Sequence, residues 1–188
     1  MIEGNLQMIF EKLKEQYEEF KARKEIISIR EKYKYIELTD DYDMSKYTAQ
    51  FNGTIYQLAP KTINAFRGIQ SNFKADNTPE AQLMLNAFDD EINTTTTCDI
   101  IVFRHHGFDM TNRHIYSTSM SWDFIFNDLA DKHYKDIHCL IIPKGSVIIP
   151  TASIISYDKT GTDSEKEIIV NSRYITRIGK HLWKYQPK

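Results

Sequence analysis

Three stretches of the chain carry polar groups that a packed sheet does not need. The first ends at Arg104, which closes the apolar run Ile100-Ile101-Val102-Phe103. Its guanidinium is a planar fork of permanent positive charge, suited to a diphosphate or a carboxylate. The ordinary role of such a residue is a solvated strand end. The second stretch is Tyr116-Ser117-Thr118-Ser119-Met120-Ser121. Its hydroxyls can line a cleft, or they can bond neighbouring backbone in a strand followed by a helix cap at Ser119 or Ser121. The third is Asp163-Ser164-Glu165-Lys166-Glu167, which leads into Ile168-Ile169-Val170. Residues two apart in a strand share a face, so Glu165 and Glu167 project together if the strand begins early. Side by side they repel, at a paired-carboxylate site or at a charged strand start.

The elements that must hold these residues follow from periodicity. Residues 6 to about 36 read as a helix, with Leu6, Ile9, Phe10, Leu13, Tyr17 and Phe20 at steps of three and four. This apolar stripe is expected to pack on a helical lobe; the other reading is a docking helix for a partner. Residues 45 to 92 look helical in pieces. One piece runs from a Ser45 cap through Tyr47, Phe51 and Ile55. The next starts at Pro60 and carries Ile63, Phe66 and Ile69. The last starts at Thr78-Pro79 and carries Leu83, Phe88 and Ile92. Asn93 and the four threonines after it read as a loop.

After Cys98 the pattern becomes that of a sheet. Strands are expected over 99–104, 138–142, 146–149, 154–157, 167–170 and 173–178. Between the first two, Trp122, Phe126, Leu129, Ala130 and His133 give 121–133 helical spacing. Helices first and strands after is an α+β organisation.

A length of 188 residues suits one domain, 1–188, with a helical lobe over 1–97 and a β-rich core over 98–188. Hydrophobic residues at 41% and charged residues at 27% exclude a disordered or fibrous chain. Twenty-four basic against 26 acidic residues give a net charge of -2, which excludes a strongly basic nucleic-acid footprint. RNA or DNA could then be held only by a local patch. Cys98 and Cys139 show no CxxC spacing and are expected to be buried, reduced thiols. The six histidines have no ligand spacing, so no metal is expected. Met1 to Asn5 lead straight into a charged segment, and no apolar run approaches the ~20 residues of a membrane span. The expectation is a cytoplasmic protein, or an effector secreted without a cleavable signal peptide, with no membrane partner.

In chain order, the three polar stretches resemble the mono-ADP-ribosyltransferase family of the arginine-serine-glutamate type. The matching residues are Arg104 in "IIVFRHH", Ser117-Thr118-Ser119, and Glu165-Lys166-Glu167 in "SEKEIIV". "CLIIPKGSVIIP" is similar to the family's strand, Pro-x-Gly turn and following strand. "TIYQLAPKTINAFRG" resembles its helical-lobe segment, with Phe66 where leucine is common. The resemblance spans residues 45–180 and implies an ADP-ribosyltransferase-like split β-sandwich core with an N-terminal helical lobe.

The resemblance also implies an activity: transfer of ADP-ribose from NAD, as co-substrate, to an acceptor, with release of nicotinamide. Breaking that glycosidic bond develops an oxocarbenium-like cation, as in glycoside hydrolysis. Glu167 would stabilise the cation and hold the ribose 2′-hydroxyl. Glu165 would position or deprotonate the acceptor. Ser117 would bond Glu167 and fix its rotamer, with Thr118 and Ser119 supporting strand and cleft. Arg104 would bind the NAD diphosphate or ribose side, and the backbone of His105 and His106 the nicotinamide amide. Helical spacing turns Phe124 away from the face of Trp122 and Phe126, as the ring to stack on nicotinamide.

The expected acceptor is a protein arginine, because the first residue of the Glu165-Lys166-Glu167 motif is Glu rather than Gln. The alternatives are RNA or DNA, NAD hydrolysis as in a toxin, and a non-enzymatic interaction module. An inhibitor or antitoxin is a further possible partner. RNA draws on the basic bias of Lys159, Lys166, Arg173, Arg177, Lys180, His181, Lys184 and Lys188. Two departures from the family stand out. Only 13 positions separate Arg104 from Ser117, which predicts a more open cleft. The 158–163 loop has no aromatic, the nearest being Tyr157, so the acceptor-recognising ring is missing there.

Overall fold

Runs of β-branched residues between turn signals make a sheet of the second half of the chain. The computed structural model describes residues 2–38, 51–52, 56–57, 94–109, 115–150, 154–155 and 166–186. A long helix, α1 (Ile2–Tyr33), comes first. The strands are β1 (Phe51–Asn52), β2 (Tyr56–Gln57), β3 (Thr95–Thr96), β4 (Ile100–His105), β5 (Ile115–Ser119), β6 (Ile137–Ile142), β7 (Ile149–Pro150), β8 (Ile154–Ile155), β9 (Glu167–Asn171), β10 (Ile175–Arg177) and β11 (Leu182–Tyr185). Seven of them form one sheet in the order β10-β11-β6-β4-β5-β9-β7. Within it β11 runs parallel to β6, and the other ladders are antiparallel.

The central strand β4 is buried on both faces, which is why Ile100 to Phe103 is apolar without interruption. Alternation still sorts its side chains. Ile100 and Val102 join Tyr116, Leu140, Ile168, Trp183 and Tyr185 on one side. Ile101 and Phe103 join Trp122, Ile125, Cys139, Ile26 and Ile29 on the other. The second cluster therefore ties the sheet to α1 and to the segment after β5.

Helix α1 binds the sheet by a face that periodicity does not single out. Ala22, Ile26 and Ile29 are buried, whereas Leu6, Ile9, Phe10, Leu13, Tyr17 and Phe20 are exposed. The stripe is thus exposed where packing is expected, and most of the expected lobe lies outside the described residues. Carboxylates from Glu15 to Glu25 also hold the helix to the rest of the chain. Glu19 accepts from the backbone N–H groups of Tyr134 (2.7 Å) and Lys135 (3.0 Å). Glu15 pairs with Lys135, Glu18 with Lys180 at 2.8 Å, and Glu25 accepts from His181 N at 2.9 Å.

Other expectations change where long-range pairing outweighs local pattern. Where a helix through Tyr47, Phe51 and Ile55 is expected, the described residues are strands: β1 pairs with β3 and β2 pairs with β8. The threonine loop is accordingly part strand. Aromatic and β-branched residues fit a ladder once a partner strand is present. The pieces expected from Pro60 and from Thr78-Pro79 lie outside the described residues. Over 146–149, only Ile149 belongs to a ladder strand, while Val147 bridges Thr95. Residues 172–174 form a 3-10 turn before β10, with Asn171 Oδ1 accepting from Arg173 N at 3.0 Å. Strand β11 was not expected at all. Cys98 is exposed, against expectation, and Cys139 is buried; neither forms a disulfide. No described helix is long and apolar enough to cross a membrane.

Candidate active site

The three polar stretches meet on adjacent strands: Arg104 near the end of β4, Ser117 to Ser119 on β5, and Glu167 at the start of β9. Ser119 faces Glu167 across the β5–β9 ladder and Ser117 faces Ile169. Ser117 and Glu167 are thus diagonal neighbours on one face, within side-chain reach. The Ser117 hydroxyl donates to the Glu167 carboxylate. Glu167 is only 4% exposed.

Local structure sets that carboxylate. Lys166 has φ of 45°, a left-handed conformation that costs a non-glycine residue roughly 1–3 kcal/mol. Its carbonyl accepts from Met120 N at 3.1 Å, which anchors the start of β9 to the end of β5. The buried Thr118 hydroxyl donates to Ile168 O at 2.7 Å, a second clamp between the same strands. Glu165 lies outside the described residues.

Arg104 braces the site from the other side. Its Nε donates to Gly107 O (2.8 Å) and its Nη1 to Ser117 O (2.7 Å). The guanidinium stacks 5.0 Å from the Tyr116 ring centre. The fork expected to grip a diphosphate thus spends two donors on backbone carbonyls and fixes the strand that presents Ser117. The Gly107 turn needs its glycine: φ is 68°, and a Cβ there would meet the His138 ring at 3.0 Å.

The segment after β5 forms the opposite wall. Ser119 Oγ accepts from Ser121 N at 2.9 Å, and Ser121 Oγ accepts from Phe124 N at 3.2 Å, so the expected cap is Ser121. Phe124–Leu129 then winds as a π-helix, closed by Ala130 N to Ile125 O at 2.9 Å. Such windings recur at functional sites. Trp122 stacks on Phe126 at 5.1 Å and meets Phe103 edge-on at 5.3 Å, so both rings belong to the core side. Phe124, partly buried against the same core cluster, also borders a cleft of about 230 Å³, lined by Arg104, His105, His106, Ser117, Thr118, Ser119, Phe124, Ile125 and Leu129. Ser117 joins this cleft to the buried Glu167.

A scan of family models finds no match to the chain. No curated protein matches it either. Among solved structures the chain is similar to the enzymatic component C2-I of the C2-toxin from Clostridium botulinum, at 14% identity and a TM-score of 0.41. That likeness covers 82% of this chain and 49% of that one, so the chain spans about half the length of the toxin component.

The His105 and His106 rings, both lining the cleft, lie 3.6 Å apart and are tilted by 41°, and His106 has φ of 67°. Burial, and then the neighbouring His106, lower the pKa of His105, which favours its neutral ring. Sequence patterns missed His138 and Trp183 behind the site, and Ile125 and Leu129 in its wall. His138 faces Arg104 in the β4–β6 ladder and accepts from Trp183 Nε1 at 3.2 Å. Burial, and then His181, push its pKa down to about 3. The i→i+5 winding brings Leu129 to the same wall as Phe124, a pairing that 3.6-residue periodicity does not reveal. The basic bias of the C-terminal quarter is partly neutralised. Arg177 pairs with Asp109 at 3.2 Å, Lys180 pairs with Glu18, and Lys166 and His181 are buried. Lys159 and Lys188 lie outside the described residues. Among the described residues no group of three or more His, Cys, Asp or Glu could hold a metal.

Proposed function

We propose that the chain is an NAD-dependent mono-ADP-ribosyltransferase whose acceptor is a protein arginine. The observation that carries this reading is the Ser117–Glu167 hydrogen bond beside a cleft lined by polar side chains on one side and by Phe124, Ile125 and Leu129 on the other. It matches the division of labour that the arginine-serine-glutamate pattern implies: a hydroxyl that fixes a carboxylate next to the scissile bond. The cleft of about 230 Å³ is below the roughly 300–1,000 Å³ of drug-sized ligand sites. It suits one end of a dinucleotide, the nicotinamide and its ribose, with Phe124 against the ring.

In this reading the bond between ribose C1′ and the nicotinamide nitrogen breaks, and nicotinamide leaves with the electron pair. The Glu167 carboxylate stabilises the positive charge left on the ribose. The guanidine nitrogen of the acceptor attacks C1′ and gives up its proton, with Glu165 in the role of base or positioning group. Arg104 acts chiefly by holding β5 and the His106–Gly107 turn, and it borders the cleft where the dinucleotide would enter. Neutral His105 adds no charge beside the developing cation.

The test is incubation of the full chain with NAD labelled on the adenylate moiety and with cell lysate, under nuclease and protease controls. Label on protein that neutral hydroxylamine releases supports arginine transfer. Label removed by nuclease moves the acceptor to RNA or DNA. Free ADP-ribose alone makes the chain an NAD glycohydrolase. Unaltered NAD overturns the enzymatic reading.

A further inference from the structure

The exposed stripe of α1 has a stricter period than amphipathic packing requires. Leu6, Leu13, Phe20 and Ile27 are seven residues apart, and Phe10 and Tyr17 fall four after the first two. These six form the alternating four-three rows of a heptad seam, and Lys24 takes the next position in the second row. All six are exposed, Phe10 at 77% and Leu13 at 58%. The opposite face is occupied by the chain's own body, through Glu15, Glu19, Ala22, Glu25, Ile26 and Ile29. An apolar seam facing outward, on a helix held down by its acidic face, is the reverse of ordinary amphipathic docking.

The residues that flank the seam say what covers it. Gln7, Lys14 and Lys21 lie on one side, and Ile9, Gln16 and Arg23 on the other. None is a carboxylate, and Lys24 adds a further positive charge within the seam. Lys21 reaches Glu18 only at an exposed 3.7 Å. A second copy of α1 would meet this basic frame with its own lysines. We infer that the heptad face of α1 docks an amphipathic helix of another protein, with an apolar seam flanked by Asp or Glu. Those carboxylates would face Lys14, Lys21, Arg23 and Lys24.

The test uses the full chain and a defined probe, a four-heptad peptide with Ile and Leu in the seam and Glu at the flanking positions. A peptide with Lys at the flanking positions is the control. Fluorescence anisotropy should show saturable binding of the glutamate peptide, at least tenfold tighter than the lysine peptide and weakened by salt. Leu13→Glu should weaken it at least tenfold while leaving the Tm unchanged, because Leu13 is exposed. Equal binding of the two peptides, or no effect of Leu13→Glu, overturns the inference. So does a dimer of the chain alone that Leu13→Glu dissociates, which assigns the seam to a second copy. Binding to phosphatidylglycerol vesicles that Leu13→Glu abolishes assigns it to a membrane surface instead. A clear fall in Tm for Leu13→Glu shows that the stripe packs within its own chain.

Discussion

Ser117 and Glu167 are diagonal, not opposite, neighbours. Ser117 pairs with Ile169 and Glu167 with Ser119, and the hydroxyl reaches across one register step to the carboxylate. A direct pair would place both side chains within the ladder's row. The diagonal leaves Ser117 bordering the cleft with the carboxylate held behind it.

Replacing Glu167 with Gln keeps the shape and removes the charge. Transfer and NAD hydrolysis should fall together by about 10²–10³-fold, or roughly 3–4 kcal/mol, as for the loss of one preorganised electrostatic contact. Turnover of labelled NAD by purified variants measures this. Near-native rates in a folded Glu167→Gln protein would remove Glu167 from the chemistry.

Ser117→Ala takes the donor from a buried carboxylate. The cost to stability should be about 1–3 kcal/mol, because the acceptor stays buried without that partner. With roughly 2–4 °C per kcal/mol at this chain size, calorimetry should show a clear drop in Tm. The kcat should fall more than the KM for NAD rises. A loss confined to KM would make Ser117 a binding residue only.

Phe124 is half-buried and lines the cleft beside Ile125 and Leu129. Phe124→Ala should raise the KM for NAD severalfold and cost less stability than the roughly 3–5 kcal/mol of a fully buried ring. Unchanged NAD affinity with a large loss of stability would assign the ring to the core.

Glu19 joins α1 to the sheet by accepting two backbone N–H groups, those of Tyr134 and Lys135. Glu19→Ala should destabilise the fold by about 1–2 kcal/mol, since hydrogen bonds to charged acceptors exceed neutral ones. A denaturant midpoint equal to that of the native chain would show that the helix is held by Ala22, Ile26 and Ile29 alone.

The imidazole of His138 ordinarily takes a proton near 6.5, but in the fold its pKa is pushed down to about 3, by burial first. Between those values the unfolded state binds more protons, so stability falls as pH falls from about 6.5 toward 3. His138→Gln should flatten this acid side of a Tm-versus-pH profile. Identical profiles for variant and native chain would deny His138 any part in acid unfolding.

The candidate site residues are legible without coordinates. Arg104, Ser117 and Glu167 are odd in their context, because a guanidinium, a hydroxyl cluster and paired acids interrupt patterns that otherwise read as strand. The apolar runs that become β4, β6 and β9 are equally plain, since strands buried on both faces carry near-continuous apolar runs.

Three matters were decided only by tertiary structure. Local patterns state which residues prefer a strand but not its register, and Ser117 meets Glu167 through a ladder that joins residues 50 apart. The π winding of Phe124–Leu129 has no periodic signature, so Leu129 joins the cleft wall unannounced. The heptad stripe of α1 reads as a packing face in isolation, yet Glu15, Glu18, Glu19 and Glu25 find their donors in the turn before β6 and the loop before β11. Those donors are supplied by residues more than 100 positions away. No local periodicity encodes them, and they reverse which side of the helix faces water.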